Sequence, residues 1–210
     1  MAGIVALTSG ASSRASCFGS RRDGSPPGEE TLIRRVREGD ALAQEIFYKR
    51  HVQFVFGTVV RLLGSRDEAE DIVQETFALG LRDLHLLRNA SAVRGWLVQI
   101  AVRQVHRVFR RKRLLRMLGF SAAEDPAAIE SVVSPDAGPE VRAEIVKLWR
   151  VLPRMDSDQR VAWSLRFVED YSLEEVAELC QCSLATAKRR IAAAAAVMRQ
   201  HMSRGGGCDA

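Results

Sequence analysis

The sequence predicts an all-α protein of two small helical domains joined by a flexible linker, and three observations carry that prediction. Apolar residues recur at three- and four-residue spacings through two blocks, Glu29 to Met117 and Glu140 to about Met202, with few breakers inside either. No stretch sustains the alternation of a strand. Between the blocks stand Gly119, Pro126, Pro135, Gly138 and Pro139 among Glu124, Asp125, Glu130 and Asp136, an acidic run rich in breakers. A length of 210 residues allows one or two domains, and a composition 47% hydrophobic but only 6% aromatic suits small cores of Leu, Val, Ile and Ala. The expected layout is a disordered tail over 1–28, a first domain over 29–118, a linker over 119–138, a second domain over 139–202 and a loose end over 203–210.

Residues 1–28 are rich in Gly, Ser, Pro and Ala without periodicity, which reads as disorder. Met1 to Leu7 lacks a charged start and a long enough apolar stretch for a secretory signal. The acid-free, Ser- and Arg-rich stretch 11–22 also has the composition of a transit peptide, but a disordered tail is the reading taken.

The first distinctive element is SRDEAEDIVQETFAL, Ser65 to Leu79. Ser65 or Asp67 is placed to cap a helix whose first turns hold acids, where the helix dipole favours them. Ala69, Ile72, Val73, Thr76 and Phe77 form one apolar face. Asp67, Glu68, Glu70, Asp71 and Glu75 fill the rest, with no base from Asp67 to Phe77. Such a face is ordinarily just solvated. Uncompensated acids on one helix also make a dock for a basic protein partner, because complementary charge steers encounter. They would repel DNA.

Next comes a run with the opposite sign. No Asp or Glu occurs between Leu84 and Ala123, and a helix is expected from Val93 to Met117. Trp96, Leu97, Ile100, Ala101, Val105 and Val108 make its apolar stripe. Arg103, Arg107, Arg110 and Arg111 form a separate stripe at i, i+4, i+7 and i+8. Stacked arginines without counter-ions repel one another unless something anionic lies alongside, and nucleic-acid phosphate is the natural candidate over lipid. The polar turn before the helix offers Arg88, Asn89, Ser91 and Arg94 to bases. Trp96 is either core or a stacking platform.

In the second block, helices are expected over Val141–Leu152 and Asp158–Val168, broken at Pro153 and Asp156. Ser172 and Glu175 have the capping-box spacing. Leu173, Val176 and Ala177 face inward with Cys180 as a further candidate, the turn Cys180–Gln181–Cys182 follows, and Ser183 caps a second helix. On that helix Leu184, Ala187, Ile191, Ala194 or Ala195, and Met198 pack, while Thr186, Lys188, Arg189 and Arg190 project. Two short helices, a tight turn and bases early in the second helix are the helix-turn-helix arrangement for the major groove. The alanine run 192–196 favours helix and offers nothing to bases.

Several classes are set aside. The four cysteines, Cys17, Cys180, Cys182 and Cys208, form no disulfide framework, as in a reducing cytoplasm. Cys180-x-Cys182 reads as two small residues in a turn rather than half of a zinc site with His201 or Cys208, since such a site needs two ligand pairs. No carboxylate cluster flanks the basic helix, no glycine loop cradles phosphate, and His51, His85, His106 and His201 are scattered. The reading is therefore a non-enzyme without cofactor, metal or small-molecule substrate, and no run of about 18 apolar residues suggests membrane insertion.

In order, DEAEDIVQETF, RGWLVQIAVRQVHRVFRRKR, a variable linker and LPRMDSDQRVAWSLRFVEDYSLEEVAELCQCSLATAKRR resemble the bacterial extracytoplasmic-function (ECF) sigma factors of the sigma-seventy family. The likeness covers roughly 30–118 and 139–202. It implies a region-two-like first domain whose Asp67, Glu70, Asp71, Gln74, Glu75 and Phe77 bind the β′ clamp helices of core RNA polymerase. It implies that Arg88, Asn89, Ser91, Arg94, Trp96, Gln99, Arg103, Arg107, Arg110 and Arg111 melt and hold the minus-ten promoter element. The second domain resembles region four. There Ser183, Thr186, Lys188, Arg189 and Arg190 would read the minus-thirty-five element, and the domain would meet the β flap. An anti-sigma factor and a cytoplasmic setting are implied too. Relatives often carry Asn and Asp where Arg103 and Arg107 stand, a turn glycine where Gln181 stands, and an aromatic residue and an arginine where Ala192 and Ala193 stand. An altered base-contact face, a positive φ at Gln181 and weaker upstream readout are expected. The alternative is a helix-turn-helix regulator that binds an operator without serving the polymerase.

Overall fold

The computed structural model describes residues 28–118 and 138–204, and among these all regular structure is helical. The order is α1 (Glu29–Arg37), α2 (Ala41–Leu63), α3 (Arg66–Asp83), short 3-10 turns at Leu84–Leu86 and Ala90–Ala92, and α4 (Val93–Met117). Then follow α5 (Pro139–Val151), a 3-10 turn at Leu152–Arg154, α6 (Ser157–Phe167), α7 (Leu173–Leu179) and α8 (Leu184–Arg204). All but a few residues of the expected tail, linker and loose end lie outside the described residues.

The ends of these helices follow from their capping residues. Asp40 accepts from the Ala43 amide at 3.1 Å to start α2, and Ser65 accepts from the Glu68 amide to start α3. Between them Gly64 takes φ 70°, which reverses the chain within one residue. A side chain there would also collide: an added Cβ would lie 3.0 Å from the Trp149 ring. Ser172 and Glu175 form the reciprocal capping box of α7. Gln181 has φ 50°, so the position where relatives use glycine does demand the left-handed region. Asp170 has φ 59°, which the sequence did not signal, although Asp tolerates this conformation better than most residues.

In the first half, Phe47, Val55, Val59 and Leu62 of α2 meet Ala69, Ile72 and Val73 of α3 and Leu97, Val98, Ala101, Val102 and Val105 of α4, all buried. Full burial of such side chains stabilises by roughly 1.5–3 kcal/mol each. This core does not stop at the expected domain boundary. Val161, Ala162, Leu165, Tyr171, Val176, Ala177 and Leu179 of the second half belong to the same continuous cluster. A smaller cluster around Trp149, Leu152, Met155, Trp163, Ala194 and Met198 holds α5, α6 and α8 together. The second half is therefore folded back onto the first, with α6 against α2 and α4, and α7 against α4.

Candidate nucleic-acid interface

The acidic helix α3 turns its apolar face inward as its spacing requires: Ala69, Ile72, Val73, Thr76 and Phe77 are buried. Asp67, Glu70, Asp71, Gln74 and Glu75 are exposed. Glu68 is tied to Lys112 of α4 at 2.7 Å, and Arg66 lies 4.0 Å from Glu70. Asp67, Asp71 and Glu75 have no ion-pair partner within 4.0 Å among the described residues. Phe77 is apart from this surface. It is 3% exposed and sits edge-on to Phe47 and Tyr48, with ring centroids 6.2 and 4.8 Å away, so it anchors the helix from beneath.

The turn before α4 is held by α1. Arg37 donates to the Leu84 carbonyl at 3.1 Å and to the Leu87 carbonyl. Asn89 Oδ1 accepts from the Ser91 amide at 3.0 Å and the Ser91 hydroxyl at 2.8 Å, which shapes the turn into α4. Arg88, Asn89 and Ser91 are exposed, whereas Arg94 lies over the Phe54 ring at 5.4 Å. Trp96 is half-buried against the core, close to Gly80, where an added Cβ would meet Leu97 at 3.1 Å. Leu86 stands 63% exposed on the same turn, a feature no spacing rule singled out.

Along α4, Arg103, Arg107, Arg110 and Arg111 are exposed. Arg103 donates to Gln99 at 3.0 Å and Arg107 to Gln104 at 3.2 Å, and none of the four pairs with a carboxylate among the described residues. Gln99 is half-buried, with its amide also donating to the Glu178 carbonyl of α7 at 3.3 Å.

At the start of α8, Ser183 Oγ accepts from the Thr186 amide at 3.2 Å and shares a hydroxyl–hydroxyl hydrogen bond of 2.9 Å with Thr186. Lys188 and Arg189 are exposed. Arg190 turns back to the carboxylate of Asp158 on α6, where His106 of α4 also lies at 3.2 Å. Burial holds the His106 pKa below its ordinary value, although the Asp158 charge opposes that shift. Ala192 is exposed and offers nothing beyond a methyl group. Cys180 and Cys182 are half-buried free thiols packed on the core, and burial pushes Cys180 up to about 12, so it is protonated at neutral pH. Among the described residues no three potential ligands gather to hold a metal, and no helix is long and apolar enough to cross a membrane.

An acidic face, an arginine stripe and a helix-turn-helix, in that order, agree with what comparison finds. The family model for Sigma-70 region 2 matches residues 47–114, and that for Sigma-70 region 4 matches residues 145–198. The ECF RNA polymerase sigma-E factor of Escherichia coli K12 is 30% identical over 172 residues, 78% of this chain and 88% of that protein. This chain belongs to the ECF sigma factors. The RNA polymerase sigma-H factor of Pseudomonas aeruginosa is similar to this sigma factor at 29% identity over 170 residues, 78% of this chain and 88% of that protein. The sigma factor RpoE of Bartonella quintana, solved in complex with the anti-sigma factor NepR, shares the fold with a TM-score of 0.59. It is 20% identical, over 76% of this chain and 96% of that one. The region 2 match takes in the acidic face, the turn and most of α4 of this sigma factor. The region 4 match takes in α6, α7 and most of α8. Helix α1, with the arginine that steadies the turn, lies outside both.

Proposed function

We propose that this RNA polymerase sigma factor divides its work between surfaces of opposite charge. Asp67, Glu70, Asp71, Gln74 and Glu75 of α3, backed by buried Phe77, dock on the β′ clamp helices of the core enzyme. Arg88, Asn89, Ser91, Arg94 and Trp96 with Gln99, Arg103, Arg107, Arg110 and Arg111 grip the minus-ten element. Ser183, Thr186, Lys188, Arg189 and Arg190 read the minus-thirty-five element, and the second half meets the β flap. One observation carries the reading: the exposed acids of α3 and the exposed arginines of α4 stand on separate helices, and neither Asp71 and Glu75 nor Arg103, Arg107, Arg110 and Arg111 form an ion pair within 4.0 Å among the described residues. One set fits a basic protein surface and the other fits phosphate.

No reaction of the chain's own is involved. Unpaired bases are held by stacking and charge, at roughly 1–3 kcal/mol per stacked base, which offsets the few kcal/mol lost on unstacking. Such a protein works beside the polymerase in the bacterial cytoplasm, and an anti-sigma factor belongs among its partners, as one does for the Bartonella quintana relative.

The test is run-off transcription from a linear promoter library by purified core polymerase, with and without the chain. Asp71→Arg with Glu75→Arg is expected to weaken core binding at least tenfold while leaving the circular dichroism unchanged, because like charges placed face to face cost several kcal/mol. Unchanged affinity for core would overturn the docking role.

A further inference from the structure

We propose that Leu86 is an apolar wedge for a base step of the minus-ten element, and that Arg37 of α1 is the positioning residue that presents it. The inference rests on the reading above that the turn before α4 faces promoter DNA. A single exposed leucine is ordinary on a protein surface. What sets Leu86 apart is that the chain is pinned on either side of it. Leu84 and Leu87 are buried and lie three residues apart across a 3-10 turn, a spacing at which side chains eclipse. Both point inward, so the two residues between them, His85 and Leu86, are exposed. His85 turns its Nδ1 to the Arg82 carbonyl at 3.2 Å. Leu86 is left 63% exposed, next in the chain to buried Leu87 and exposed Arg88 and Asn89.

The pin is a guanidinium. Arg37, in the last turn of α1, donates to the Leu84 carbonyl through Nε at 3.3 Å and through Nη2 at 3.1 Å. Nη2 also donates to the Leu87 carbonyl. The Leu87 amide closes the turn on the same Leu84 oxygen at 3.1 Å. One rigid, planar fork thus holds the carbonyls on both sides of Leu86. An ammonium group, a point charge on a flexible stem, does not reproduce that geometry. The fork is itself held. Glu29 ties the start of α1 to Arg50 and His51 of α2, Arg35 pairs with Asp40 at 2.6 Å beyond its end, and Leu32, Ile33 and Val36 are buried between. Helix α1 packs along both 3-10 turns. A binding group acts well only when the residues that support it are locked in place.

The chemistry of the turn fits entry into a base stack. Apolar side chains, leucine among them, that insert between base pairs partly unstack the step and bend the duplex. Leu86 is branched, uncharged and carried on a supported turn, and Arg88 supplies a cation for the adjoining phosphate. Trp96 differs, because it is half-buried against the core. It fits a base already out of its stack, whereas Leu86 projects where it meets one still in it. The consequence is selective. A wedge contributes while the bases are stacked and adds little once they are apart. Its loss therefore slows opening of a duplex and spares a template whose minus-ten bases are unpaired from the start.

The experiment uses the full chain assembled with core polymerase on one promoter recovered from the run-off library. The promoter is supplied both as a duplex and with its minus-ten bases mismatched, and permanganate reactivity follows opening. Leu86→Ala is expected to slow opening of the duplex about tenfold, to stay within threefold of the unaltered chain on the mismatched template, and to bind core equally well. Leu86→Met, which restores apolar reach, is expected to recover most of the loss. Arg37→Ala is expected to lose about fivefold on the duplex alone, and Arg37→Lys to recover less than half of that. Should Arg37→Ala lose its circular dichroism, Arg37→Gln keeps a donor and takes its place. Added to Leu86→Ala, Arg37→Ala is expected to cost less than a further twofold, as for two residues that act through one contact. Losses that multiply overturn the positioning role of Arg37. A Leu86→Ala chain that opens the duplex at the unaltered rate, or that loses equally on both templates, overturns the wedge. If the unaltered chain opens no promoter with core polymerase, the minus-ten reading itself fails and takes the wedge with it.

Discussion

Glu29 occupies the first position of α1 with 1% of its surface exposed, 3.0 Å from His51 Nε2 and 3.1 Å from an Arg50 guanidinium nitrogen. Burial alone would raise its pKa. The hydrogen bonds from His51 and Arg50 outweigh that, and its carboxyl ends below the ordinary carboxylate range. A carboxylate depressed in the folded state adds stability above its unfolded pKa of about 4.3 and loses it as pH falls through the lower folded value. Glu29→Gln is therefore expected to cost about 1–3 kcal/mol at pH 7 and less at pH 3.5, read as the gap between urea midpoints at the two pH values. A gap independent of pH would show that the charge of Glu29 contributes nothing. This pair was not legible in the sequence. An acid at a helix start is ordinarily solvated, and its partner lies 22 positions away on another helix. Gln181 is the opposite case: a side chain standing where a turn glycine is expected announced its φ of 50° directly.

Elements were far easier to read, because their signals are local. The 3.6-residue spacing of Leu97, Ala101, Val105 and their neighbours set α4, and it runs from Val93 to Met117 as expected. Ser65 and the Ser172–Glu175 box mark the starts of α3 and α7, since orphan amides at a helix N-terminus need an acceptor at a fixed offset. The same periodicity put Phe77 on the buried face of α3, so its burial was implied by the residues even though family resemblance grouped it with the docking acids. For α4 the expected consequence is electrostatic. Each phosphate neutralised adds roughly 0.9 to the slope of log affinity against log salt. Arg103→Ala with Arg107→Ala should then flatten that slope on duplex by about 2 without changing helix content, because both side chains are exposed. Salt titrations by anisotropy check it, and an unaltered slope would remove both arginines from the phosphate contacts.

At the scale of the whole molecule, what the sequence concealed is how the two halves meet. Thr58 and Glu169 are 111 positions apart, and Arg160 and Leu63 are 97 apart, with breaker-rich residues between, which in sequence reads as independent domains. Charged residues are seldom fully buried, so nothing in the sequence marks Arg160 and Glu169 as residues of the seam. Yet Arg160 joins a carbonyl of α2 to a pair of aromatic rings, Phe109 from one half and Trp149 from the other, and the apolar core runs unbroken past it. A shared core couples the unfolding of its parts, so the unaltered chain is expected to melt in one calorimetric transition rather than two. Arg160→Ala removes the bond to Leu63 and the packing over both rings, leaving a buried carbonyl and a cavity at the seam. It should cost about 2–4 kcal/mol and separate the single peak into two, the half with fewer core residues melting first. Two transitions in the unaltered chain would mean that the halves fold independently and that their common core contributes little. A single peak that merely moves to lower temperature in Arg160→Ala would mean that the apolar contacts of α6 and α7 hold the halves together without the arginine.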